Sequence, residues 1–156
     1  MSEPENRVDH EMHKKLAIDL FNRVWGLLDK PERTTEEDDE MVHAAHASRF
    51  HWGEIGTPLE FERGEWQISR VYSVLNRPEA ALHHARSCLE ICEANGIVGF
   101  DIAFAYEALA RAHAAAGNHA KAQEFADLAE RAAAAIEDAG NREYTLREVA
   151  AVKEML

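Results

Sequence analysis

The chain has 156 residues, 46% of them apolar, with 17 Lys and Arg against 29 Asp and Glu, a formal charge of −12. That length supports one domain that buries roughly 70% of its unfolded surface around a core. The acidic balance argues against nucleic acid or an anionic membrane surface as partner. Only 8 Gly and 4 Pro interrupt the sequence, which excludes an all-β fold and leaves long helical segments. The two cysteines, Cys88 and Cys92, cannot make a disulfide framework.

Residues 1–8 are polar and read as a flexible N-terminal tail. Neither a secretion signal nor a membrane span is expected, and the cytoplasm is the expected compartment. Residues 9–156 read as a single helical domain. Leu16, Leu20, Val24, Leu27 and Leu28 recur at helical spacing over residues 9–29, and Phe21 and Trp25 widen the stripe. Thr34 and Thr35 each precede an acid by three, Glu37 and Asp38, so the acidic run Glu36 to Glu40 reads as a helix start rather than an acidic docking patch. This second helix carries Met41, Ala44, Ala45, Ser48 and Trp52 and stops near Gly53 to Gly56.

Thr57-Pro58-Leu59-Glu60 starts a third helix, with Thr as N-cap, Pro in the first turn and Glu at the box position. Asn76-Arg77-Pro78 breaks it, a fourth helix runs to Ala94, and Asn95-Gly96 caps that one. A fifth helix is expected over 100–116 and a sixth over 119–138. Gly140-Asn141 then separates a capping helix over 142–155.

Sliding the chain on itself by 41 residues pairs Ile68 with Leu109, Ser69 with Ala110, Arg70 with Arg111, Asn76 with Gly117, Ala81 with Ala122, Ala85 with Ala126 and Cys88 with Ala129. Helical hairpins need small side chains at close crossings and a residue tolerant of left-handed backbone at the turn. Both needs are met twice at one period. Tyr106, Leu109, Ala110, Gly117, Ala122, Phe125 and Ala129 match the signature of the tetratricopeptide repeat, and the chain resembles that family over residues 58–138. The long period is similar to the long-helix variant of kinesin light chains.

The resemblance implies an all-α, right-handed superhelical array of antiparallel hairpins with about seven helices. It would comprise a divergent unit 9–56, units 58–96 and 100–139, and the capping helix. It also implies a concave groove lined by Arg63, Trp66, Arg70 and Ser73 in one unit and by Phe104, Glu107, Arg111 and Ala114 in the next. Three arginines on one surface of an acidic protein suit a carboxylate-bearing segment, with Trp66 as an apolar wall. Ordinary pairing, such as Arg111 with Glu107 one turn away, is the plainer reading of the same residues.

The stretch around His43, His46 and His51 offers metal-ligand types on the second helix, with His83 or His84 able to approach. Packing and hydrogen bonding between helices is the reading preferred for these histidines. His113 falls in the slot of Tyr72 and reads as a core-edge packer, whereas His10, His13 and His119 are expected to face solvent. No nucleotide loop, Ser/His/Asp order or paired-carboxylate constellation rises above chance. The expected function is therefore non-catalytic binding of a protein or peptide segment in the groove, with no cofactor. A small metal-dependent enzyme using His43, His46 and His51 is the alternative, and a self-associating homodimeric subunit is the third reading.

Overall fold

Capping chemistry and left-handed turn residues divide the chain. The computed structural model describes residues 8–156, and among these residues there are seven α-helices and no strand: α1 (His10–Leu28), α2 (Thr35–Ile55), α3 (Pro58–Val74), α4 (Pro78–Ala94), α5 (Phe100–Ala115), α6 (His119–Ala134) and α7 (Ala139–Glu154). The expected tail lies outside the described residues except for Val8, which is exposed.

Asp9 caps α1 by accepting from the Met12 N–H at 2.8 Å. At α2 the choice between two threonines is settled by Thr34, whose Oγ1 accepts from the Glu37 N–H at 3.1 Å while Glu37 accepts from the Thr34 N–H at 3.0 Å. Asp38 instead holds Arg33, Oδ1 to Nε at 2.8 Å. At α3, Glu60 accepts from the Thr57 N–H at 3.1 Å.

Asn76 at φ 58° and Gly117 at φ 78° take the left-handed conformation at equivalent places of the 41-residue register. One boundary differs from expectation: α6 ends at Ala134 and α7 begins at Ala139. Asp138 accepts from the Asn141 N–H at 2.8 Å and so caps the last helix. Gly140 and Asn141 thus lie in the first turn of α7 rather than in a break, because a side-chain acceptor for the orphan first-turn N–H groups outweighs the weak helix propensity of one glycine.

Each helix packs on the next in sequence, and α3 also meets α5 while α5 meets α7. The small residues of the repeat sit where helices cross: Ala81, Ala85, Ala110, Ala122 and Ala126 have no exposed surface. One apolar core joins Val24 and Leu27 of α1, Met41, Ala44 and Ala45 of α2, and Ile68 and Val71 of α3. A second joins Trp66 of α3, Ala85, Cys88 and Cys92 of α4, and Phe104, Ala105, Ala108 and Leu109 of α5. Ala110, Ala126 and Val152 tie α5, α6 and α7 together. No helix among the described residues is long and apolar enough to cross a membrane.

Candidate functional site

Side chains spaced three or four apart share one helix face, and the odd-numbered helices turn such faces toward one another. Phe21 and Trp25 of α1, Glu62, Arg63 and Trp66 of α3, Phe100, Asp101 and Phe104 of α5 and Tyr144 of α7 enclose a pocket of about 200 Å³. Its walls are mutually packed aromatics. Trp66 meets Phe104 edge-on at 5.6 Å between centroids, Trp25 lies 5.4 Å from Trp66, and Tyr144 lies 5.9 Å from Phe104.

At the rim, Arg63 grips Asp101 with two parallel bonds, Nε to Oδ1 at 2.8 Å and Nη2 to Oδ2 at 3.1 Å. Beside the pocket, the buried Glu107 carboxylate receives Arg111 Nη2 at 2.7 Å and Arg70 Nη2 at 3.2 Å through Oε1. Trp66 Nε1 donates to Oε2 at 3.5 Å. Glu148, from α7, adds a second carboxylate 3.5 Å from Arg70 and 3.6 Å from Arg111. The Arg70 guanidinium also lies over the Trp66 ring, 5.3 Å from its centroid.

Of the groove residues expected from sequence, Arg63, Trp66 and Phe104 line the pocket, and Arg70, Glu107 and Arg111 form the adjoining ion cluster. Ser73 belongs to neither, and its buried Oγ has no hydrogen-bond partner. Each of the three arginines holds at least one carboxylate of the chain itself: Asp101 for Arg63, and Glu107 with Glu148 for Arg70 and Arg111.

Glu62 is only 2% exposed. Burial, and next the neighbouring Asp101 carboxylate, push its carboxyl up to about 10, so it is neutral at pH 7. Its Oε2 is buried without a hydrogen-bond partner, while Oε1 lies 3.9 Å from Cys88 Sγ. The neighbouring Cys92 thiol, and next burial, push the Cys88 thiol up, whereas the proximity of Cys88 lowers Cys92.

The histidines separate. His46 Nε2 pairs with the Tyr72 hydroxyl at 2.8 Å, and the His84 ring stacks on Tyr72 at 5.9 Å. His51 Nδ1 lies 2.9 Å from His13 Nδ1, so His13 is half-buried against α2 instead of facing solvent. His43 is exposed. His43, His46 and His51 therefore do not converge on one point. Among the described residues, the group of His, Cys, Asp and Glu whose ligand atoms all lie within 4.8 Å of one another is Glu62, Cys88 and Cys92. His113 stacks flat on Phe125, 5.6 Å between centroids, as a packing residue.

Phe21, Trp25, Glu62, Phe100, Asp101 and Tyr144 are site residues that the sequence reading does not reach. Phe21 and Trp25 lie on a helix with no register in the repeat, and Tyr144 on one read only as a cap. The 41-residue slide carries the signal for Glu62, which falls on the slot of Ala103, a fully buried position. No protein-family model and no curated protein matches the chain.

Proposed function

We propose that the protein is a non-catalytic binding scaffold, a tetratricopeptide-like array of antiparallel hairpins whose odd-numbered helices line one concave face. The aromatic pocket built by α1, α3, α5 and α7 together carries this reading. At about 200 Å³ it is smaller than the roughly 300–1,000 Å³ typical of small-molecule sites and suits one anchoring side chain of a peptide or protein segment. Because the arginines around it already hold carboxylates of the chain, the partner's main contribution is an apolar or aromatic anchor, and its acidic groups act second. A protein partner of this kind needs no cofactor.

The test is a titration of the protein with short peptides that differ only at one anchor position, Phe, Leu, Ala or Asp, followed by fluorescence of the wall tryptophans. The expected order places Phe and Leu above Ala and Asp. Trp66→Ala and Phe104→Ala should weaken the Phe peptide roughly tenfold or more, the size of a hot-spot loss. Equal binding of all four peptides, or wild-type affinity in both variants, removes the pocket from the function.

A further inference from the structure

Glu62, Cys88 and Cys92 sit between α3 and α4, and the two thiols have no part in the peptide reading. Cys88 and Cys92 have no exposed surface and are both free thiols. They stand four apart on α4, one turn, so both point to the same neighbour, and that neighbour is Glu62 of α3.

The repeat shows that an equivalent crossing can be packed without these side chains. Extending the 41-residue register places Glu62 on Ala103, Cys88 on Ala129 and Cys92 on Ala133, and all three alanines are fully buried in the following unit. Where one unit fills the crossing with three methyl groups, its neighbour places two thiols and a carboxyl. A buried carboxyl oxygen without a partner is costly unless something satisfies it, and Glu62 Oε2 is such an oxygen.

We propose that Glu62, Cys88 and Cys92 bind a thiophilic divalent ion, with Zn²⁺ the ion of choice. Binding displaces the Cys88, Cys92 and Glu62 protons to solvent, and the resulting two thiolates and one carboxylate are a borderline-soft donor set, which suits Zn²⁺ better than the hard Mg²⁺ or Ca²⁺. Zinc–sulfur bonds of about 2.3 Å and zinc–oxygen bonds of about 2.0 Å in a tetrahedron put sulfur and oxygen about 3.5 Å apart. Cys88 Sγ and Glu62 Oε1 stand at 3.9 Å and all three ligand atoms lie within 4.8 Å of one another, so closing on an ion requires shifts of about 1 Å or less. Three protein donors also match the number used by zinc sites that keep one position open. Glu62 is at the same time a wall residue of the aromatic pocket. This site is independent of whether a peptide binds there.

Co²⁺, a spectroscopic stand-in for Zn²⁺, tests it. The full chain, reduced and stripped with a chelator, is titrated with Co²⁺ and then with Zn²⁺. The expected result is one equivalent per chain, with thiolate-to-cobalt charge-transfer bands and the strong visible bands of tetrahedral cobalt, both erased by Zn²⁺. Cys88→Ala and Cys92→Ala carry the residue of the equivalent slot and should fold, as circular dichroism would verify, yet each should lose the charge-transfer intensity. Glu62→Gln should weaken binding at least tenfold. Zn²⁺ should raise the melting temperature of the wild type and leave that of the double cysteine variant unchanged. Cobalt that binds without thiolate bands, or visible cobalt bands that vanish in His43→Ala with His46→Ala while surviving in the double cysteine variant, would overturn the proposal, as would no binding at all.

Discussion

Arg70 of α3 and Glu148 of α7, 78 positions apart in sequence, approach to 3.5 Å. The last helix thus brings its own carboxylate to the guanidinium that an acidic ligand would seek. Removing that carboxylate frees attraction for an external one. In Glu148→Gln, peptides with acidic flanks should gain affinity relative to neutral ones, and the gain should fade as salt is raised. Folding stability should drop by less than about 1 kcal/mol, because Glu148 is partly solvated and Glu107 still holds Arg70. Paired titrations at low and high salt provide the check.

Glu107 behaves differently, since its side chain has no exposure and two arginines that are nearly buried depend on it. Replacing it by Gln keeps the shape and removes the charge. Glu148, partly solvated, is then the one carboxylate left beside both guanidinium groups, so the protein should lose about 2–3 kcal/mol, short of the roughly 3–5 kcal/mol of a fully unpaired buried charge. Chemical denaturation of Glu107→Gln against the wild type measures this directly, and a loss under about 1 kcal/mol would mean that water reaches the cluster.

Helix crossings set a third expectation. Ala110 is fully buried against Ala126 and Val152. Ala110→Leu should overpack the crossing by about 1–3 kcal/mol and lower the melting temperature. At the turn of the preceding unit, Asn76 has φ 58°. Asn76→Gly should be close to neutral, whereas Asn76→Val should cost about 1–2 kcal/mol from the left-handed backbone. Thermal melts of the three variants decide both points.

His46 makes stability depend on pH. Burial, and then the His84 and His43 charges, lower its pKa below the ordinary 6.5, while Glu65 opposes them and the Tyr72 hydroxyl bonds Nε2. The unfolded chain therefore takes up this proton before the folded one does. The contribution of His46 is fully present above about pH 6.5 and is lost as pH falls through that value toward the folded pKa. His51, lowered by burial and by His13, acts in the same direction. Melting temperatures measured from pH 8 to pH 5 should decline for the wild type and decline less for His46→Gln, which retains a partner for Tyr72.

Caps, turns and helix-crossing alanines are legible in the amino-acid sequence because they are local or repeated. Thr57-Pro58 with Glu60 starts a helix wherever it occurs, and the left-handed turns at Asn76 and Gly117 announce themselves by their equivalent places. The boundary between α6 and α7 is harder to read, because an N-cap acceptor and a helix-breaking glycine stand two residues apart and the capping strength of Asp138 prevails over Gly140. The ion cluster, the pocket and the buried trio are of another kind. Arg63 is 38 residues from Asp101, Trp66 is 41 from Glu107, and Glu62 is 26 from Cys88. Helical periodicity says which face a residue occupies, not which carboxylate a neighbouring helix will bring there. The same periodicity cannot tell that Glu62 faces the core, since a lone glutamate in a helix is usually solvated. Only the approach of α1, α3, α5 and α7 turns separate stripes into one pocket, pairs its arginines and buries Glu62 beside two thiols, because desolvation and ion pairing act through space rather than along the chain.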